Sequence, residues 1–196
     1  MEKKKLIIGG VILGVLVVGG TIFALNKVKS NKQEVTKVET SNKNNNVISE
    51  QNDENKGLSD EELKKKYYLL ENSNISVKDR VEASEVARKF AKDITEFDIN
   101  DPKKNEAEAL SLVSTDIDKE VQGYFMTLGQ SKNLKEKKIK SIRSEEGSNW
   151  GKDYIEIHVY LEYEIIDNND NKESKSIGYY IRLSKIDGKY KVTSYK

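Results

Sequence analysis

One histidine, a row of glutamates and ten tyrosines carry most of the chemistry this 196-residue chain could offer. Tyr154, Glu156, His158, Tyr160, Glu162 and Glu164 recur at every second position, so an extended backbone sets them on one face. An imidazole beside carboxylates can move a proton, and Glu156, Glu162 and Glu164 together could hold a cation or drive hydrolysis. Either task needs an enclosed site. The alternate set, Ile155, Ile157, Val159, Leu161, Tyr163 and Ile165, is apolar and must take the core side, which leaves the polar set on the outside. The spacing therefore predicts a solvated strand face, with His158 as a cross-strand neighbour of Glu and Tyr. Asp98, Asn100 and Asp101 resemble a scrap of a calcium loop, but the other ligands and the required glycine are missing, so capping accounts for them. Asp167-Asn-Asn-Asp-Asn171 reads as turn chemistry. The chain has no cysteine, which excludes disulfides, thiolate metal sites and an acylated anchor. It has no phosphate-binding glycine loop, nucleophile elbow or histidine cluster either. The sequence assigns no catalytic residue, no metal ligand and no cofactor.

The aromatic part of that outer face is a different matter. Tyr154, His158 and Tyr160 on one strand, with Tyr180 and Arg182 on the next, make a band of the amphipathic residues enriched at protein contacts. The expectation is an interaction surface. The bland reading is that such cross-strand pairs also stabilise an exposed sheet with no partner present.

The elements that must position this band follow from periodicity. Ser59-Asp60-Glu61-Glu62 fits a capping box and leads into Leu63, Tyr67 and Leu70 at helical spacing. An apolar stripe from Val77 to Phe97, through Val81, Val86, Phe90 and Ile94, predicts a longer helix whose other face is filled by Lys, Arg, Glu and Asp. Asp101 as cap and Pro102 at the first helical position predict a third helix through Ala107, Leu110 and Val113. A fourth is expected from about Asp116 to Leu128, with Gly129 as its stop. The period then changes from 3.6 to 2. Strands are predicted at 135–143, at 154–166, around Ile177, Tyr179, Ile181 and Leu183, and through Tyr190 and Val192, with Asp187-Gly188 as a tight hairpin. The lysine-rich run 132–140 is read as a turn and edge strand, where lysines discourage edge-to-edge pairing.

Ahead of this domain, residues 6–25 are apolar and uncharged, and as a helix they reach roughly 30 Å, the thickness of a bilayer core. Residues 1–5 are basic, which favours a cytoplasmic tail and sends the rest outside, although Lys27, Lys29, Lys32 and Lys37 nearly balance the flanks. The run is longer than a signal-peptide core, and Ile22-Phe23-Ala24 offers no small-x-small cleavage site, so an uncleaved signal anchor is expected. Gly10 and Gly14 form a Gly-x-x-x-Gly face on which a second span could pack, so a homo-oligomer is allowed. Residues 26–57 hold eight asparagines and no aromatic group, the composition of a polar tether. The predicted organisation is thus a tail at 1–5, a transmembrane helix at 6–25, a disordered polar tether at 26–57 and an α+β domain at 58–196. A leading helix at 58–75 precedes the core at 76–196. The net charge of +1 and the lack of a basic, aromatic-interleaved stripe argue against nucleic acid as a partner.

Helices followed by a long-stranded antiparallel meander that ends in Ile186-Asp-Gly-Lys-Tyr-Lys-Val-Thr-Ser-Tyr195 resemble the nuclear transport factor 2-like (SnoaL-like, cystatin-like) fold. That resemblance covers about residues 76–196 and implies helices packed on a curved antiparallel sheet of about four strands, a cone. The plan of one span, a polar tether and such a domain is similar to the bitopic, TcpC-like components of Gram-positive conjugation and type IV secretion systems. It implies a non-enzymatic, single-pass protein outside the cytoplasmic membrane whose partners are other subunits of an envelope complex. Two alternatives carry their own marks: a small-molecule or lipid-binding domain predicts a ligand-sized apolar cavity between sheet and helices, and a hydrolase or isomerase predicts a polar pair inside it.

Overall fold

A computed structural model describes residues 53–128, 130, 133–148 and 153–196. The chain divides into two units, Met1–Asn45 and Asn46–Lys196, and every described residue lies in the second. The expected span at 6–25 with Gly10 and Gly14, the tether up to residue 52, and Gly129 lie outside the described residues. Among the described residues no helix is long and apolar enough to cross a membrane.

Helix α1, Asp60–Tyr67, starts with the predicted capping box: Ser59 accepts from the Glu62 amide and Glu62 reaches back to the Ser59 amide. It ends one turn earlier than the spacing of Leu63, Tyr67 and Leu70 implies. Tyr68 takes a left-handed conformation, which rotates the chain so that Leu69 is buried and Leu70 exposed. Tyr67 is fully buried, and its hydroxyl donates to Glu85 while accepting from Asn55. Tyr67, Leu69 and Val81 form a small core of their own that joins α1 to the helix after it.

That helix, α2, runs Val77–Thr95 behind a Ser76 cap. Its inward stripe is rich in small residues, Ala83, Ser84, Ala87 and Ala91, which let the backbone come close to the sheet while Phe90 and Ile94 fill the space beyond. Two charged residues expected on the solvated face are instead buried, Arg80 and Asp93. Phe97 is buried too, but not as helix. The helix stops at Thr95, and Phe97–Asp98 form a short strand, β1, paired with Lys137 and Glu136.

The third helix begins later than Pro102 suggested. Asp101–Lys104 make a turn closed by the Lys104 amide on the Asp101 carbonyl at 3.2 Å, with Asp first and Pro second, the positions those residues favour in a type I turn. Helix α3 is Glu106–Leu112, and Asn105, its capping position, uses its side chain on the Asp93 carbonyl. Helix α4 is Asp118–Thr127, close to expectation.

The remaining strands are β2 (Leu134–Glu146), β3 (Ile155–Asp167), β4 (Lys172–Ile186) and β5 (Lys189–Tyr195). With β1 they form a five-stranded antiparallel sheet in chain order, one strand more than expected. Register shifts in β2, between Leu134 and Glu136 and between Ile139 and Ser141, and another at Arg182/Leu183, are the bulges that curl it. Asp187 and Gly188 both have positive φ, 49° and 79°, as a two-residue hairpin between twisted strands requires. The inward row is Ile155, Ile157, Val159 and Leu161 from β3, Ile181 and Leu183 from β4, and Tyr190 and Val192 from β5, all buried against α2, Val121 and Phe125. At the end of β3 the buried residue is Ile166, not the expected Ile165.

Arg80 finds its partner at the end of β2. Its guanidinium donates to Glu146 Oε2 and to the Leu70 carbonyl at 2.8 and 2.7 Å, and the Leu70 amide donates to the same carboxylate oxygen at 2.8 Å. The two side chains are 3% and 0% exposed, so each ion is desolvated and depends on the other. Glu146→Ala is expected to cost about 3–5 kcal/mol of stability, whereas the paired Arg80→Met/Glu146→Leu change costs much less. Urea unfolding of the two variants checks this, and a Glu146→Ala loss under about 1 kcal/mol contradicts the clasp.

Candidate interaction face

Strand register brings the predicted band together in three cross-strand rows on the outer face of the sheet. Arg143 opposes Tyr160, which opposes Gly178; Glu145 opposes His158, which opposes Tyr180; Glu156 opposes Arg182. In the first row the Arg143 guanidinium lies 4.2 Å from the Tyr160 ring centroid, and that ring in turn covers Gly178. In the second, the His158 and Tyr180 rings meet edge to face at 4.3 Å, and Lys196 Nζ sits 5.6 Å from the Tyr180 centroid. In the third, Arg182 Nε donates to Glu156 Oε2 at 3.0 Å while its guanidinium covers Tyr154 at 4.8 Å. The rows are cross-linked. Tyr160 donates to Glu145 Oε1 at 2.7 Å, His158 Nδ1 is 3.9 Å from the same oxygen, and His158 Nε2 is 3.2 Å from Glu156 Oε1.

All five sequence-predicted residues, Tyr154, His158, Tyr160, Tyr180 and Arg182, thus occupy one face. Burial would lift the Glu156 carboxyl, but Arg182 and His158 outweigh it and hold it below the usual carboxylate range. The hydrogen bond to Glu145 raises the Tyr160 phenol above its ordinary value. Such charges answer one another and leave the rings of Tyr180 and Tyr160 as the adaptable part of the surface. Sequence reasoning missed Arg143, Glu145 and Gly147. The first two share the outward parity of β2, a usable signal, but the strand was expected to end at Arg143. Gly147 had no signal: a Cβ there would lie 2.9 Å from His158 Nε2 and 3.1 Å from Glu156 Oε1, so any other residue requires those side chains to shift.

The remaining chemistry-bearing residues serve local structure. Glu164 is shared by Lys140 and Lys172, and Glu162 accepts from Ser141. Asp98 accepts from both nitrogens of Asn100, and Asp167 accepts from the Asn169 and Asn171 amides. Asp101 lies in the turn with Pro102. Among the described residues no group of three or more His, Asp or Glu is placed to hold a metal ion.

Between sheet and helices, where an apolar ligand would sit, Phe90, Ile94, Phe125 and Tyr190 are buried. The tyrosine hydroxyls of Tyr124 and Tyr179 bond to the fold itself: Tyr124 donates to the Ile94 carbonyl at 2.7 Å, and Thr95 and Tyr179 share a bond at 3.0 Å. Burial pushes the Tyr124 phenol up to about 12, so it stays a donor at neutral pH. An open cleft of about 320 Å³ lies elsewhere, along the polar side of α2, lined by charged groups that include Arg88, Lys89, Asp93 and Glu108. Lys89 bridges Glu108 and Asp93, the latter at 3.5 Å.

No family model matches the sequence, and no curated protein matches it. Among solved structures the chain is similar to CagV, a VirB8 homologue of the type IV secretion system from Helicobacter pylori strain 26695. Identity is 9% and the TM-score 0.46, over 57% of this chain and 92% of that one. It is also similar to a protein from Campylobacter jejuni called an NTF2-like transpeptidase, at 18% identity and a TM-score of 0.29, over 56% of this chain and 95% of that one.

The cleft does make one pH-dependent demand. Burial raises the Asp93 carboxyl to about 6 despite Lys89, so the folded state holds its proton more tightly than the unfolded chain does. A raised folded value means the favourable state is complete below pH 4 and is lost as pH climbs through 6. Asp93→Asn is therefore expected to be more stable than the native chain at pH 7, by on the order of 2 kcal/mol, and no more stable at pH 4. Urea unfolding at both pH values reads this directly, and equal effects at the two contradict it.

Proposed function

We propose that this chain is a non-enzymatic docking module, held by an N-terminal span with its folded domain outside the cytoplasmic membrane. In this reading it is an assembly component of a conjugation or type IV secretion complex. The observation that carries the docking role is the outer sheet face, where Arg143, Glu145, Glu156 and Arg182 neutralise one another around exposed and half-exposed tyrosines. Aromatic residues and arginine, with charge satisfied beforehand, are what the core of a protein contact uses.

The inner side of the sheet supports the same reading from the opposite direction. Acid–base chemistry in a cone needs polar groups facing a cavity, yet the inward positions are filled by Phe90, Phe125, Ile157 and Leu161. Membrane attachment rests on residues 6–25, the orientation on the basic residues 1–5, and helix–helix contact on Gly10 and Gly14. The choice of a secretion or conjugation complex rests on the order of span, tether and domain in the sequence.

Tyr160→Ala and Arg182→Ala remove the centre of two rows without touching the core. Each is expected to weaken assembly roughly tenfold while far-UV circular dichroism and Tm stay near those of the native chain. Native gels of membrane extracts report the assembly. Unchanged assembly with both variants folded sinks the docking role.

A further inference from the structure

Two carboxylates are buried among the described residues, and the fold treats them differently. Glu146 Oε2 accepts from the Arg80 guanidinium and from the Leu70 amide, each at 2.8 Å. Asp93 is 4% exposed, yet its Oδ2 accepts no hydrogen bond from any described group. Lys89 Nζ lies 3.5 Å from that oxygen, close enough to attract it but drawn off by its bond to Glu108. A desolvated acceptor costs stability unless a donor reaches it.

The place where a donor could reach Asp93 is the open cleft of about 320 Å³ along α2, which it lines and which is large enough for a small molecule. Asn105 holds the start of α3 against this wall by donating to the Asp93 carbonyl at 3.4 Å. Two of the three cations in the cleft are engaged. Lys89 is bonded to Glu108, while Arg88 is 3.9 Å from Glu85 and lies over the Tyr67 ring. Asp93 and the half-buried Glu96 are then answered by Lys92 alone, and Glu54 adds a further negative charge. The balance calls for a cation. Among the described residues no three acidic or histidine side chains converge as a metal ion requires, so the fitting cation is one that carries its own N–H donors and meets carboxylates set apart from one another.

We propose that this cleft binds an aliphatic di- or polyamine, one ammonium group donating to Asp93 Oδ2 and a second meeting Glu96, with the methylenes between them lying along Ile142. Lys89 keeps its bond to Glu108 when the amine enters. The proposal does not depend on the docking role of the outer sheet face. It also gives a reason for a carboxylate at a position where an amide would make the chain more stable at neutral pH: a site residue is kept for its ligand against its cost to the fold.

Titration calorimetry of the full chain in a non-ionic detergent, with putrescine and spermidine as probes and magnesium chloride at matched ionic strength as the control, tests this. Saturable binding of spermidine is expected, with magnesium giving none. Asp93→Asn should weaken it at least tenfold while its Tm at pH 7 stays at or above that of the native chain, and Glu96→Gln should weaken it about threefold. The groups around Asp93 are Lys89, Lys92 and Glu96 on α2 and Glu108 on α3, and burial still raises its carboxyl to about 6. Protonation therefore competes with the amine, and binding should fall roughly tenfold from pH 7 to pH 5 in the native chain and not in Asp93→Asn. Absence of saturable binding by either amine, or equal binding by magnesium, overturns the proposal. Native affinity in Asp93→Asn overturns it as well, and so does a fall in the Tm of that variant at pH 7, which would make the carboxylate a structural group.

Discussion

Arg80 and Glu146 meet at 2.8 Å with almost no water around them, and three pieces of chain hang on that contact. The guanidinium comes from the first turns of α2, the carboxylate from the last residue of β2, and the Leu70 carbonyl and amide from the connection between α1 and α2. A buried pair of this kind adds little net stability compared with an apolar replacement, but neither ion tolerates the loss of the other. Its effect is to fix position. Because side chains alternate along a strand, holding Glu146 inward holds Glu145 outward, and Glu145 is the group on which Tyr160 and His158 converge.

The two faces of the sheet therefore divide the chemistry. Most inward positions carry aliphatic and aromatic side chains, with Glu146 paired to Arg80 and the Tyr179 hydroxyl bonded to Thr95 of α2. Outward positions carry every element of the aromatic band, with charges closed in pairs, Arg143 with Glu145 along β2 and Arg182 with Glu156 across β4 and β3. A fold of this layout, helices inside a curled sheet, supports both cavity chemistry and surface contacts, so the decision lies with the residues on each face and not with the fold.

Much of this was legible in the chain. Strict alternation in β3 named the outer band because a two-residue period leaves no other arrangement once one set must be buried. Asp187-Gly188 and Ser59-Asp60-Glu61-Glu62 spoke for themselves, since each is local chemistry that needs no distant partner. What was hidden depends on distant partners. Arg80 falls on the α2 stripe with Ser84, Ala87 and Ala91, but a charge there reads as polar face until Glu146, far along the chain, is known to meet it. Phe97 continued the helical apolar rhythm and was claimed by strand pairing with Lys137 instead. Pro102 obeyed turn preference over helix-start preference, two rules that share the same residue types.

The chain has no cysteine, so Tyr180→Cys introduces a single thiol in the centre of the outer band and Lys119→Cys places one on exposed α4, away from it. Labelling each in intact cells with a membrane-impermeant maleimide tests placement and docking together. The account predicts that both thiols react without lysis and that Tyr180→Cys reacts several-fold more slowly than Lys119→Cys until the complex is extracted and dispersed. Equal rates at the two sites in intact cells, or labelling that appears only after lysis, contradict it.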